Sequence, residues 1–196
     1  MTGAFARAAW RTRMRKLKYH VATSVDGFIA HEDDTYGAFM QDRLIKDSEH
    51  VADYVASLAT YATVLMGRRT YDGGLKVGVT DPYPNMDTYV FSRTMKESPN
   101  PRVKLVSDDA VGEVRRLKAQ EGGDIYLSGG GAFAGLLLAE GLVDEVLLKM
   151  NPLILGSGIL LASSLKQVVD LDLKSTKVYA NGVVLLRYAV MPRPQA

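Results

Sequence analysis

Cysteine is absent from the 196 residues. Disulfides, thiolate metal sites and a cysteine nucleophile go with it, and nothing argues for export to an oxidising compartment. Histidine is nearly as scarce. His20, His31 and His50 are the only three, at spacings that fit no helical zinc motif, so no metal is expected. No uninterrupted apolar run reaches the roughly 20 residues that cross a bilayer, and a soluble, cytoplasmic protein without a membrane partner is expected. Acids are missing from one place: Arg7, Arg11, Arg13, Arg15, Lys16 and Lys18 precede Tyr19 with no Asp or Glu among them. Six of the 24 basic residues fall there, so the formal charge of +2 hides a mildly acidic body of 18 basic against 22 acidic residues. A basic arm for nucleic acid and a transit peptide are the functional alternatives for this stretch. With one Trp, several Ala and no apolar core, residues 1–17 are instead expected to be a disordered extension, and nucleic acid is not an expected partner.

What is present points to one well-filled domain over residues 18–191. Hydrophobic residues make up 47% of the chain and charged ones 23%, enough for one α/β core and too few residues for a second full domain. Strand-like and helix-like patterns alternate, the signature of a sheet covered on both faces. Strands are expected at Tyr19 to Thr23, Thr63 to Met66, Thr88 to Phe91, Val103 to Val106, Asp124 to Leu127 and Glu145 to Met150. Asp47-Ser48 starts a helix whose Val51, Val55 and Leu58 share one face; Asp108-Asp109 caps another carrying Val111, Val114 and Leu117; Ala132 to Glu140 forms a third. At the end, Lys177 to Ala180 and Val183 to Val190 flank Asn181-Gly182, a strong hairpin signal.

Three of these strands run into loops suited to anions. Gly67-Arg68-Arg69-Thr70, Ser92-Arg93 and Ser128-Gly129-Gly130-Gly131 each place backbone donors or fixed positive charge at a strand's C-terminal end. Alone, Ser92-Arg93 reads equally as a strand end with a solvated arginine, and the glycine triplet as a left-handed turn before a helix. In series they imply one ligand, a dinucleotide with its phosphates, lying across the edge of an open sheet. Asp26-Gly27 is a favoured tight turn with or without a ligand beside it.

The segment Ser24-Val25-Asp26-Gly27-Phe28-Ile29-Ala30, the run Met66 to Tyr71, the Ser92-Arg93 pair, the Gly129 to Gly131 loop and the terminal hairpin together resemble dihydrofolate reductase. They resemble equally the reductase domain of the bifunctional deaminase-reductase of riboflavin biosynthesis, which shares that fold. Pro152 to Gly158, with Leu160-Leu161, is more similar to the riboflavin branch. The resemblance implies a dihydrofolate-reductase-like α/β fold: a central, mostly parallel sheet with helices on both faces and a C-terminal antiparallel β-hairpin.

It also implies NADPH as cofactor and hydride transfer to a small heterocycle, an aminouracil ribosyl phosphate or a related pterin or flavin-like ring. Ala22 and Ile29 would line the nicotinamide pocket, and Arg68 and Arg93 would grip the 2'-phosphate. Arg69 and Thr70 would sit near the pyrophosphate with Gly67 and Ser92 beside them, and Gly129, Gly130, Gly131 and Ala132 would allow close backbone approach. Asp26, Glu49, Asp53 and Pro152 are assigned to the substrate side. The position of the dihydrofolate reductase carboxylate falls on Val51, and no residue is assigned as proton donor. A homodimer is expected from the family and from Val183 to Leu186, whose apolar strand would otherwise expose an adhesive edge. Two other functions stay open: a folate or pterin reductase on the same fold, and a non-catalytic module that senses NADPH.

Overall fold

The computed structural model describes residues 14–192. Its elements are, in chain order, β1 (Leu17–Thr23), β2 (Phe28–Ala30), a 3-10 turn (Gly37–Met40), α1 (Asp42–Ile45), α2 (Glu49–Leu58), β3 (Tyr61–Gly67), α3 (Arg68–Leu75), β4 (Asp87–Phe91) and β5 (Lys104–Val106). There follow α4 (Ala110–Ala119), β6 (Asp124–Gly129), α5 (Gly131–Ala139), β7 (Glu145–Met150), β8 (Ile159–Leu160), β9 (Leu171–Val178) and β10 (Val184–Val190). Eight strands form one sheet in the order β5-β4-β3-β6-β1-β7-β10-β9, and β2 pairs with β8 in a separate two-stranded ribbon. All neighbours from β5 to β7 are parallel, whereas β10 runs antiparallel to both β7 and β9. The mostly parallel sheet with a terminal hairpin is thus as the sequence implies.

Side chains of period 2 explain the two covered faces. Leu17, Tyr19, Leu65, Ile125 and Leu127 point to the face packed by Val114 and Leu117 of α4 and by Ala134 and Leu137 of α5. Val64, Met66, Val90 and Tyr126 point to the other, against Tyr54 and Leu58 of α2 and Tyr71 and Leu75 of α3. A smaller cluster of Leu44, Tyr179 and Val183 closes the corner where α1 meets the terminal hairpin turn. Because β3, β4 and β6 run the same way, their C-terminal ends lie together: Gly67 pairs with Phe91, and Met66 with Gly129.

Three expectations change. Residues 1–13 of the expected extension lie outside the described residues, but Arg15 to Leu17 belong to the domain. Arg15 is buried, its guanidinium donating to the Gly123 carbonyl and Thr63 Oγ1, both at 2.6 Å, and Leu17 opens β1. The hairpin's first strand starts at Leu171, six residues before the expected Lys177, because β9 is exposed along its whole length and carries no buried face to signal it. That same strand removes the edge expected at Val183 to Leu186. Leu186 sits between Leu148 of β7 and Thr176 of β9, so β10 is interior and β9 is the edge.

Candidate functional site

A cleft of about 940 Å³ opens where the parallel strands end. At one end of it the lining is largely backbone. Gly67 passes from β3 directly into α3, and Gly130 precedes α5; neither helix has a side-chain N-cap, so the amide groups of both first turns face the cleft without an internal partner. The chain is tight here for a reason. A Cβ on Gly131 would collide with the carbonyl oxygen of Leu160, and one on Gly67 would lie 3.6 Å from the Gly130 amide nitrogen. Gly129 holds a φ of +141°, a conformation closed to side-chain-bearing residues.

Arginines rim this end. Arg68 and Arg69 open α3, and Arg93 follows β4; all three line the cleft, with Thr70, Gly129, Gly130, Gly131 and Ala132. Arg68 Nε donates to both carboxylate oxygens of Asp72 one turn along, at 2.6 and 2.7 Å. Arg69 pairs with Asp34 at 2.8 Å across the rim. Arg93 is exposed and has no carboxylate in ion-pair range among the described residues. Together with the two helix starts, this end can hold two or more anionic groups.

The other end is apolar. Ala22 and Val21 of β1 and Ile29 of β2 form its floor, while Phe39, Ile45, Val51 and Tyr54 wall it. Val51, Tyr54 and Val55 share the cleft face of α2 through the spacing of three and four. No carboxylate from α2 reaches the cleft. Beneath Tyr54 lies a stack of buried aromatic groups. Its hydroxyl is 3.1 Å from that of Tyr126 and 3.3 Å from that of Tyr83, and the His20 ring meets its edge at 5.3 Å. Burial, seconded by the positive charges of Lys149 and Lys18, pushes the His20 imidazole down to about 4, so it is neutral. Burial also raises the Tyr54 and Tyr126 hydroxyls well above their ordinary value. Among the described residues Lys149 of β7 is the cation lining this end, with Nζ 5.6 Å from the centre of the Tyr54 ring.

Of the residues assigned from sequence, Ala22, Ile29, Gly67, Arg68, Arg69, Thr70, Arg93, Gly129, Gly130, Gly131 and Ala132 all line this one cleft. Ser92 does not. It is buried, and its hydroxyl accepts from the amides of Thr94 and Met95, fixing the turn that presents Arg93. The four substrate-side residues do not line the cleft either. Glu49 and Asp53 lie on the far side of α2 from Val51, where both pair with Lys177 (2.8 and 2.6 Å) and Asp53 accepts from the Tyr179 hydroxyl. Those hydrogen bonds, from Lys177 first and then Tyr179, keep the Asp53 carboxyl below its ordinary value. Asp26 is exposed and clamps the loop after β7 by accepting from the amides of Leu155 and Gly156. Pro152 packs beside Gly182 in the hairpin turn, outside the cleft. Lys149 and Tyr54 were not singled out from sequence; the available signal was a lone lysine inside the otherwise apolar strand Val146 to Met150. Among the described residues no three His, Asp or Glu side chains gather to hold a metal, and no helix is long and apolar enough to cross a membrane.

A mostly parallel sheet whose strand ends open on a cleft, followed by an antiparallel hairpin, defines the dihydrofolate-reductase-like class. Residues 15–185 match the RibD C-terminal domain, and the chain belongs to that family. Two Bacillus subtilis proteins, the uncharacterized YwjB and YyaP, are each 30% identical to it, over 87% of this chain and 96% of YwjB and over 90% of this chain and 95% of YyaP. A crystal structure from Shewanella sp. PV-4, of a protein ascribed to riboflavin biosynthesis, superposes with a TM-score of 0.75 at 26% identity, covering 91% of this chain and all of that one. Enterococcus faecalis dihydrofolate reductase, solved with NADP(H), shares the fold with a TM-score of 0.64 at 15% identity over 89% of this chain and 96% of its own. The Thermotoga maritima deaminase/5-amino-6-(5-phosphoribosylamino)uracil reductase shares it at 0.63 and 16% identity; there 91% of this chain corresponds to 57% of the longer one.

Proposed function

We propose that the protein is an NADPH-dependent reductase of a small heterocyclic substrate, of the riboflavin-biosynthesis type. The observation that carries this reading is the convergence on one cleft of Arg68, Arg93 and two uncapped helix starts, with an apolar floor at Ala22 and Ile29. The residues fit a dinucleotide. Gly67 and Gly131, each close against neighbouring chain, bring the first turns of α3 and α5 together at the cleft. Arg68 and Arg93 are placed to take the 2'-phosphate, and the first turns of α3 and α5 the pyrophosphate. A bound reduced nicotinamide would supply hydride. The chain itself supplies an apolar floor at Ala22 and Ile29 and apolar walls of Phe39, Ile45 and Val51, against which a planar ring can lie. The family membership and the fold shared with reductases support the same reading.

The test is thermal unfolding with excess NADPH, with NADH at the same concentration, and with neither. Ligand at about a hundred times its dissociation constant adds roughly 2.7 kcal/mol, a rise of several degrees for a chain of this size. A rise with NADPH that exceeds the rise with NADH is expected. No rise with either overturns the reading.

A further inference from the structure

Lys149 lines the cleft beside its apolar floor. It stands in register with Ala22 on the neighbouring parallel strand, so both side chains rise from the same face of the sheet into the cleft. Three strand spacings separate β7 from β3, which places Lys149 about 14 Å across the sheet from the start of α3 with its arginines. Phosphates held there lie out of its reach. Its ammonium has no carboxylate in ion-pair range among the described residues and lies over the face of Tyr54, 5.6 Å from the ring centre. The Tyr54 hydroxyl is itself engaged by Tyr83 and Tyr126. A half-buried cation without a counter-ion is kept in an apolar pocket at a solvation cost that an oxygen-bearing ligand would offset.

Resting on the reductase reading above, we infer that Lys149 is a catalytic residue that binds the carbonyl oxygen of a neutral, planar heterocycle and hands it a proton. Hydride adds at the electron-poor end of a double bond conjugated to that carbonyl. The displaced π pair moves to the oxygen, the Lys149 N–H bond breaks as the O–H bond forms, and the amine recovers its proton from water. The substrate is reduced by two electrons and the nicotinamide oxidised by two. Burial lowers the affinity of Lys149 for its proton, which suits it to give one up. The same arrangement selects against cationic rings such as protonated diaminopyrimidines. These want a carboxylate, and on this wall α2 presents Val51 and Tyr54, while Glu49 and Asp53 are held outside by Lys177.

The test uses lumichrome, a dicarbonyl ring system that is neutral at pH 6 and whose fluorescence reports binding without turnover, and 2,4-diaminopyrimidine, protonated at pH 6, as the cationic comparator. The full chain is titrated with each at pH 6, as wild type, Lys149→Met and Lys149→Arg, and each variant is first checked for its NADPH-induced rise in unfolding temperature. Met conserves volume, so folding is retained. A charge-assisted hydrogen bond corresponds to about a tenfold to hundredfold change in affinity. Lumichrome should weaken by that factor in Lys149→Met and recover in Lys149→Arg, while 2,4-diaminopyrimidine binds wild type more weakly than lumichrome and gains affinity in Lys149→Met. Unchanged lumichrome affinity in Lys149→Met, no lumichrome binding by wild type, or tighter binding of the diaminopyrimidine than of lumichrome each overturns the inference. An absent NADPH response alongside the expected lumichrome pattern overturns the reductase reading and leaves the carbonyl-binding role of Lys149 standing.

Discussion

Gly67 to Thr70 and Gly129 to Ala132 line the cleft largely through backbone, whereas its far end is lined by Phe39, Ile45, Val51, Tyr54 and Lys149, side chains from four separate pieces of chain. The first end is fixed by close backbone contact: Gly131 lies against the Leu160 carbonyl and Gly135 against that of Ser163. Such a surface recognises phosphate geometry and tolerates little change. The second end is made of interchangeable apolar groups around one cation, so its preference can be altered one side chain at a time without moving the sheet. A conserved kind of ligand at the first end and a variable one at the second is what this division of labour permits.

The contrast can be broken from either side. The largest effect is expected from replacing Arg68 and Arg93 together with Ala. Each charge-assisted contact contributes about 1.5–3 kcal/mol, so NADPH should weaken by on the order of a hundredfold or more while NADH barely changes, as calorimetric titration would show. Equal weakening of both would remove the 2'-phosphate assignment from this end.

Next is the dependence of stability on pH, which belongs to the layer beneath the apolar end. His20 stays neutral in the folded protein down to about pH 4, while an unfolded chain takes up that proton near pH 6.5. Between those values the unfolded state binds more protons, so stability falls as pH drops through the window, by on the order of 3 kcal/mol. Urea unfolding at pH 7 and pH 4.5 measures it, and His20→Gln should flatten the slope. An unchanged slope in that variant would place the titration elsewhere.

Gly131→Val probes the rigidity of the first end directly. The new side chain would press on the backbone carbonyl of Leu160, which cannot swing aside as a side chain would, and overpacking of that kind destabilises by about 1–3 kcal/mol. A fall in melting temperature of several degrees, with loss of the NADPH response, is expected. Met40→Ala at the other end, half exposed on the cleft wall, should leave stability within about 0.5 kcal/mol. Similar losses in both variants would erase the distinction between the ends. The smallest effect is expected at Asp34→Ala. Its exposed pair with Arg69 contributes under about 1 kcal/mol to stability, but freeing Arg69 should tighten NADPH a few-fold.

The same division explains what could be read from the chain alone. Gly67-Arg68-Arg69-Thr70 and Gly129-Gly130-Gly131 declare themselves because each is contiguous and follows an apolar strand, so sequence neighbours are also site neighbours. The apolar end offers no such run. Phe39 lies in a 3-10 turn and Ile45 in a four-residue helix, both too short to show periodicity. Lys149 is one residue in a strand whose cleft-facing side depends on its pairing with β1. Glu49 and Asp53 were misplaced because their position in α2 is legible while their partners, Lys177 and Tyr179, lie more than 120 residues away in the terminal hairpin. Asp26 fails for the same reason, since the loop it clamps begins at Leu155. Only the end of β9 next to Asn181-Gly182 is legible, because an edge strand exposed on both faces need not alternate in hydrophobicity over residues 171–176.

The central position of β1 has a consequence for how the protein is made. The strand leaves the ribosome early, yet its two neighbours in the sheet are β6 and β7, whose first partner, Ile125, is paired with Leu17 across more than 100 residues. Until synthesis passes Gly129, the strand carrying Leu17, Tyr19 and Val21 has no neighbour to pair with, and one of its edges stays open until β7 is complete at Met150. The high contact order of this topology slows the final closure further. A nascent chain stalled before β7 is therefore the form of this protein most in need of a chaperone.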